Sequence, residues 1–413
     1  MRTFRGTGDP EFTLSAEVHA VLQLCAISEP LFPNLKSLEL RSTIWDFIPF
    51  VPSFLSPRTT SISITFPMHG PPKAMFVALL IPTFPTLCPQ LQTICLHSLP
   101  RDPIITAAVS ELLLTTNRDA LRRFRVDSPL TEEAREVVCK LPDLCGLRVI
   151  IEGFTSLPTI ILPNLTEIDV EYDNNCDWLE GFRGATLGKL DSAAFRATSR
   201  SAQTSDFLEA FENVGLTTSP TLSTFKFYTH RPRRLNYRSL LSFNQLRELE
   251  IGFSCEGGCS STIDDDIIID MARAMPRLET LVLGEGPCKT PAGITAKGLA
   301  ILAQRCPNLS SLSIHFRVGS FRAPSASSGT PHVESDAPQR SCALTRLHVG
   351  QIPMPEGSVL VVALTLVRIF PRITWIGYGG GNWENVLRAI RLSGQIVDSS
   401  SKQHTPHCVS KQC

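Results

Sequence analysis

The sequence predicts an α/β solenoid, in which short parallel strands alternate with helices or turns. Three observations predict it. A short apolar pattern recurs along the chain, its copies follow one another at intervals of 21–35 residues, and the longer intervals contain amphipathic helix patterns. Units of this kind bury a continuous core only by stacking on their neighbours.

The recurring kernel is apolar-x-x-apolar-x-apolar, and its last two apolar positions alternate as on a short strand. Its clearest copies are Leu31–Leu40, Cys88–Leu96, Leu162–Val170, Met275–Leu283 and Cys306–Ile314. Counted with the weaker copies, the kernels begin at Leu35, Thr59, Leu91, Leu121, Leu144, Leu165, Leu190, Leu222, Leu246, Leu278, Leu309, Leu344 and Ile373.

The spacing is typical of leucine-rich repeats, which run about 20–29 residues and are longer where the return arm is a full helix. We therefore predict a curved horseshoe with parallel strands on its concave face and helices and turns on its convex face. The irregular repeat domain is expected over residues 31–394, with a disordered insertion at about 320–341. Residues 1–30 are expected to form a capping segment with one helix, and residues 395–413 a disordered tail.

Helix signals occupy the long intervals. Asp102 and Pro103 form an N-cap followed by a first-turn proline, the acidic run Asp264–Asp266 suits a helix N-terminus, and Thr295 is a further N-cap. The short intervals are expected to return by turns or by one 3₁₀ segment.

One segment resembles a known family. In Gly293–Leu309 (GITAKGLAILAQRCPNL), the Ile-Thr, Gly-Leu, Leu-Ala and Cys-Pro-x-Leu positions match the cysteine-containing leucine-rich repeat of F-box proteins. The remaining units resemble the repeat regions of fungal F-box proteins over roughly residues 31–390. The resemblance implies the substrate-binding part of a cullin-type ubiquitin ligase, which serves ubiquitin-dependent protein degradation and performs no chemistry itself.

The chain departs from that family before its first repeat. In the family an F-box module, opened by a Leu-Pro helical motif, binds a Skp-type adaptor. Residues 1–30 contain no Leu-Pro opening, and Glu11–Ile27 predicts a single helix instead. A Skp-type adaptor is therefore expected only if an F-box exists upstream. The alternative is an F-box-less repeat scaffold or inhibitor with no link to ubiquitin.

Composition argues against several partner classes. The chain has 39 Lys and Arg residues and 39 Asp and Glu residues, so its net charge is zero. A nucleic-acid-binding protein usually carries an excess of basic residues. The apolar runs Ala74–Ile81 and Val359–Val367 fall short of the roughly 18 residues that a membrane span needs. We expect a cytoplasmic or nuclear protein without a nucleic-acid or membrane partner. The 13 cysteines, an odd number in a long chain, are expected to be mostly buried thiols.

No motif predicts catalysis, a cofactor or a metal. Gly377–Gly381 lacks the last glycine of the dinucleotide fingerprint, and Gly284–Thr290 lacks the P-loop spacing. Cys255 and Cys259 have a spacer suited to two zinc ligands but no second pair nearby. The tail His404–Cys413 is expected to be a polar end and not a soft-metal site. We therefore predict a protein that is not an enzyme.

The positions between the apolar kernel residues predict the interaction surface, because alternate strand residues point away from the core. Alternating charge there favours a protein partner over a uniform polyanion. We predict that a protein substrate contacts this surface. Its predicted contacts are a basic patch of Arg122, Arg123, Arg125 and Arg148, an acidic patch of Glu167 and Asp169, and the later residues Lys226 and Tyr228.

Overall fold

The chain forms two compact units, Met1–Leu222 and Ser223–Cys413. The computed structural model describes residues 3–6, 30–41, 45–67, 74–152, 160–173, 187, 189–198, 221–229, 237–253, 263–284, 293–321, 342–349, 352, 354–377 and 382–401.

The first unit is built on a parallel, open sheet. Each strand pairs in parallel with the next strand along the chain. Its described strands are β1 (Thr3–Gly6), β2 (Ser37–Arg41), β3 (Ser61–Thr65), β4 (Thr93–His97), β5 (Arg123–Pro129), β6 (Gly146–Ile151), β7 (Glu167–Tyr172) and β8 (Ser192–Ala197).

The second unit repeats this arrangement, again with parallel pairing between strands that follow one another in the chain. Its described strands are β9 (Thr224–Thr229), β10 (Glu248–Phe253), β11 (Thr280–Leu283), β12 (Ser311–Ile314), β13 (Arg346–His348) and β14 (Trp375–Gly377). The predicted mixed α/β class with a parallel sheet is thus confirmed in both units.

Helices and 3₁₀ turns return the chain between strands. The α-helices are α1 (Val51–Phe54), α2 (Ala74–Leu80), α3 (Phe84–Leu87), α4 (Pro103–Thr115), α5 (Glu132–Val138), α6 (Asp265–Ala274), α7 (Ala296–Arg305), α8 (Val359–Ile369) and α9 (Trp383–Ser401). The 3₁₀ segments are Trp45–Phe50, Ile81–Thr83, Tyr237–Ser242, Val318–Ser320 and Glu356–Ser358.

The predicted kernels set the register of both sheets. Every strand from β2 to β14 begins two residues after the first residue of a predicted kernel. None of these thirteen kernel residues is more than 6% exposed. At each of these kernel residues the chain enters its strand. The backbone N–H groups that follow donate hydrogen bonds to a carbonyl of the preceding unit. The N–H groups of Arg122 and Arg123, for example, both donate to the Gln92 carbonyl, at 2.8 and 2.9 Å.

The predicted helices of the long intervals are confirmed where the structure describes them. Asp102 accepts a hydrogen bond from the Ile104 N–H at 2.9 Å, and Asp264 accepts one from the Ile267 N–H at 3.0 Å. Thr295 caps α7 through the Lys297 N–H at 3.2 Å. Each cap satisfies a backbone donor that a helix leaves without an internal partner.

The prediction for the short intervals holds at Tyr237–Ser242, which is a 3₁₀ segment, but it is wrong between Leu121 and Leu144. That interval contains the α-helix α5. The Thr131 hydroxyl accepts from the Ala134 N–H at 3.4 Å, and two glutamates in the first turn favour the helix dipole. The cap and the charges suffice for two turns of helix within a short repeat.

Other sequence expectations fall partly or wholly outside the described residues. Strand β1 was not predicted, and α9 continues past residue 394, where the tail was expected to begin. Outside the described residues lie the Glu11–Ile27 helix, the pair Cys255 and Cys259, residues 322–341 of the insertion, and the tail from residue 402.

Among the described helices, none has the length and hydrophobicity to cross a bilayer.

A carboxylate of α6 also caps the neighbouring helix α7. Asp265 accepts from the Thr295 N–H at 2.8 Å and from the Thr295 hydroxyl at 2.6 Å. We expect Asp265→Ala to lower the free energy of unfolding by about 1–2 kcal/mol, because both donors lose their acceptor. Asp266→Ala, in the same turn but exposed, is the control for helix charge. Equal losses in denaturant titrations of the two variants would contradict the inter-helix cap.

Candidate functional site

Charged side chains occupy many of the outward positions of β5 to β8, on the sheet face opposite the apolar core. Apolar and polar residues alternate along β5 and β7, and the charged residues at the outward positions of the four strands are mostly half-buried. Because alternate residues of a strand point to opposite faces, these side chains share one surface. We refer to seven of these charged side chains together as the charged row: Arg125, Asp127, Arg148, Glu167, Asp169, Glu171 and Arg196.

Arg148 lies at the centre of the charged row, between carboxylates of its two neighbouring strands. Its Nε atom is 2.8 Å from Asp127 Oδ1, and one Nη atom is 3.6 Å from Asp169 Oδ2. The 2.8 Å contact is not a well-aligned hydrogen bond, so the attraction between Asp127 and Arg148 is chiefly electrostatic. Asp169 also accepts from Arg196 Nη1 at 2.8 Å through each carboxylate oxygen.

Two further arginines complete the pairing. Arg125 of β5 reaches past β6 to Glu167 of β7. Gly146 is the register partner of Glu167 on the intervening strand, and the side chain of Arg123 lies over it. Arg101, just before α4, pairs with Glu171 at 2.5 Å. Burial raises the pKa of Glu171, and the Arg101 charge opposes that shift.

The structure therefore interleaves charges that the sequence analysis had grouped into a basic and an acidic patch. Arg125 and Arg148 are paired with carboxylates, including the predicted Glu167 and Asp169. Parallel register puts Arg148 beside Asp169, whereas Arg125, the register partner of Arg148, reaches Glu167 two strands away. The other two predicted arginines, Arg122 and Arg123, are exposed at the start of β5.

The two predicted residues of the second unit lie together on β9. Lys226 Nζ is 3.0 Å from Glu250 Oε1 and 3.5 Å from a carboxylate oxygen of Glu248. The Tyr228 hydroxyl donates to the other oxygen of Glu250. The ring of Tyr228 lies over Gly252, where a Cβ atom would come within 2.5 Å of it. Glycine at that position thus lets the tyrosine reach Glu250.

Sequence analysis missed a second cluster beside the charged row, which we call the thiol–imidazole–carboxylate cluster: Cys95, His97 and Asp127. Cys95 and His97 are alternate residues of β4 and share its outward face. The His97 Nδ1 atom is 3.7 Å from Asp127 Oδ2, and the Cys95 thiol also lies within interaction range of the imidazole. The signal available was the Cys-x-His alternation, but nothing in the sequence locates Asp127 beside it.

Two backbone irregularities bring Asp127 to His97. Ser98 directly follows β4 with φ of 58°, a left-handed conformation that is uncommon outside glycine. Its N–H donates to Asp127 Oδ2 at 3.0 Å. The β5–β6 register also shifts between Arg125 and Pro129, and such bulges re-aim side chains.

The cluster perturbs the titration of its members. The Asp127 carboxylate and then the Cys95 thiol raise the pKa of His97 from 6.5 to about 9, against the opposing effect of burial. Burial would raise the pKa of Asp127, but the nearby His97 imidazole, the hydrogen bond from the Ser98 N–H and the Arg148 charge lower it overall. His97 is therefore an imidazolium at neutral pH.

We expect the His97 ring signals to titrate near pH 9 in an NMR pH series, and near the usual 6.5 in Asp127→Asn. The raised pKa adds stability that is fully present below about 6.5 and is lost as the pH rises through about 9. His315 is the internal control, because burial lowers its pKa. Titration of His97 near 6.5 in the wild-type protein would contradict the pairing.

Neither a search for metal-binding groups nor comparison with known proteins assigns a function to these clusters. Within the described residues, no group of three or more His, Cys, Asp and Glu side chains is arranged to hold a metal ion. No family model matches the chain, and no curated protein matches it.

Proposed function

We propose that the chain is a leucine-rich-repeat protein that binds a protein partner, without catalysis, on the outward face of its parallel strands. Support for the repeat class comes from the thirteen kernels, each followed two residues later by a parallel strand. Repeat proteins of this kind use their extended surfaces for binding. The curved horseshoe expected from the sequence is part of this proposal.

The charged row is the observation that carries the proposal. Its side chains are already held by one another, as in the chain of contacts from Asp127 through Arg148 and Asp169 to Arg196. Binding to such a surface sacrifices little side-chain freedom, which favours affinity. Its alternating signs select a partner with the complementary pattern. The expected partner surface therefore carries alternating acidic and basic side chains.

We further propose that this partner is a substrate for ubiquitin-dependent degradation, and that the chain resembles the substrate-binding part of an F-box subunit. The support is the likeness of Gly293–Leu309 to the cysteine-containing repeat of that family. Cys306 and Leu309 of this segment are fully buried, as structural positions of a repeat require. In such a ligase, catalysis by the assembled complex depends on proximity, which the receptor supplies by holding the substrate.

Charge reversal at the predicted basic patch tests partner binding. We expect the triple change of Arg122, Arg123 and Arg125 to glutamate to abolish capture of the partners that the tagged wild-type protein retains in its own cells. Arg118→Glu with Lys140→Glu is the matched control, because both residues are exposed in turns of the same unit. Undiminished capture by the triple variant would remove this face from the proposal.

Adaptor binding separates the ligase from the alternative. If the protein is a ligase receptor, a Skp-type adaptor and a cullin co-purify with the full-length product of its gene, and partner levels rise when that gene is deleted. If partners are captured without adaptor or cullin, and their levels stay constant, the F-box-less scaffold or inhibitor is the better account.

A further inference from the structure

We propose that Cys95 is a reactive thiol that exchanges with low-molecular-weight anionic disulfides of the glutathione type. The thiol–imidazole–carboxylate cluster has an order of groups that activates a thiol: the thiol, an imidazolium beside it and a carboxylate that holds the imidazolium. The proposal concerns modification of this cysteine and does not depend on the partner proposed for the sheet face.

Geometry distinguishes Cys95 from the other described cysteines. Cys88, Cys139, Cys306 and Cys342 are buried, and their sulfurs are out of reach of a reagent in solution. Cys95 is half-buried on the outward sheet face. Cys145 is the other half-buried cysteine of the described residues, but its thiol donates to the Arg122 carbonyl at 3.1 Å.

Two cationic side chains, His97 and Arg125, flank the Cys95 thiol, and each is also paired with a carboxylate. His97 lies two residues along the same strand, and Asp127 pairs with it from β5. Arg125 is the register partner of Cys95 on β5, and Ser63 is the uncharged partner on β3. Cationic neighbours favour the thiolate, which is the nucleophilic form of cysteine. They also attract a disulfide that carries carboxylates.

The Ser98 conformation supports a functional origin for this arrangement. A left-handed non-glycine residue costs free energy, and such residues cluster at functional sites. Here the conformation directs the Ser98 N–H to the same carboxylate oxygen that faces His97. Asp127 is thereby held by a backbone donor, His97 and Arg148 in one orientation.

The exchange balances without any further reactant. The Cys95 thiol releases its proton to water beside the His97 imidazolium, which stabilises the thiolate, and the thiolate attacks one sulfur of the disulfide. A new sulfur–sulfur bond forms, the original one breaks, and the departing thiolate takes a proton from water. Cys95 is oxidised to a mixed disulfide, and half of the reagent is reduced to a free thiol.

Alkylation of the intact full-length protein tests the reactivity. Native protein is treated with iodoacetamide at pH 7, and each cysteine is followed by mass spectrometry of its peptide. We expect Cys95 to react about ten-fold faster than Cys145. His97→Gln is expected to bring the Cys95 rate down to that of Cys145, and Asp127→Asn to lower it partly. The Cys145 rate stays unchanged in both.

Two controls keep the test decisive. Protection of the buried Cys88 and Cys139 reports that the first unit of each variant is folded. The comparison of Cys95 with Cys145 in the wild-type protein needs no variant, and equal rates there would overturn the proposal. An unchanged Cys95 rate in a folded His97→Gln variant would overturn it as well.

Oxidised glutathione tests the class of disulfide. We expect it to form a mixed disulfide at Cys95 that dithiothreitol reverses, and to react faster than the neutral 2-hydroxyethyl disulfide. A faster reaction with the neutral reagent, or adducts at Cys145 but none at Cys95, would contradict the proposed site.

Discussion

Replacing Arg148 by methionine is expected to lower the free energy of unfolding by about 2–3 kcal/mol, the larger part of what breaking a buried ion pair costs. Its side chain is 25% exposed, and the facing Asp127 and Asp169 side chains are 19% and 16% exposed. Without the guanidinium these two carboxylates lose their shared partner while remaining largely desolvated. Chemical denaturation of the purified variant measures the loss.

Two further variants separate the charge effect from the loss of packing. Arg148→Met combined with Asp127→Asn is expected to recover part of the stability, because it neutralises a half-buried carboxylate that has lost one of its two charged partners. Arg123→Met, at an exposed position of β5, is expected to change stability by less than about 0.5 kcal/mol. A loss in Arg148→Met no larger than in Arg123→Met would show that the charged row contributes no stability.

Replacing Trp383 by alanine is expected to cost about 3–5 kcal/mol, the largest effect of any single change considered. Trp383 is fully buried at the start of α9. Its indole N–H donates to the Ile352 carbonyl at 2.8 Å, and its ring meets Phe316 edge-on with centroids 5.9 Å apart. Truncation removes both contacts and leaves a cavity in the core of the second unit.

The same unit provides a matched control. Trp375 of β14 is 46% exposed and stacks on His348 at 6.3 Å. Trp375→Ala is expected to cost about 1 kcal/mol or less, because little apolar area leaves a buried environment. Similar thermal and chemical stabilities of the two alanine variants would contradict the placement of Trp383 in the core.

Much of the fold is predictable because the kernel encodes burial and register together. A leucine such as Leu278 or Leu309 is fully buried, and β11 and β12 each start two residues later. The length of the interval between kernels was a weaker predictor of whether the chain returns by a helix or by a turn. The 23 residues from Leu121 to Leu144 suggested a turn, yet the Thr131 cap and its acidic first turn give the helix α5.

The chemistry of the site was less predictable, because it depends on register between strands far apart in the chain. The sequence put Arg125 and Arg148 on the outward face, but it could not show that Glu167 and Asp169 neutralise them. The thiol–imidazole–carboxylate cluster needs a left-handed Ser98 and a register shift in β5. Neither has a signature in composition or periodicity.

Site-specific photo-crosslinking most directly tests the claim that the outward sheet face binds a protein partner. A photoreactive phenylalanine is placed at Thr93 or Ser192, on the outward face of β4 and β8, or at the exposed helix positions Glu111 and Glu136. The account predicts the same partner adduct from both sheet positions and none from the helices. Adducts from the helix positions alone, or equally from all four, would contradict it.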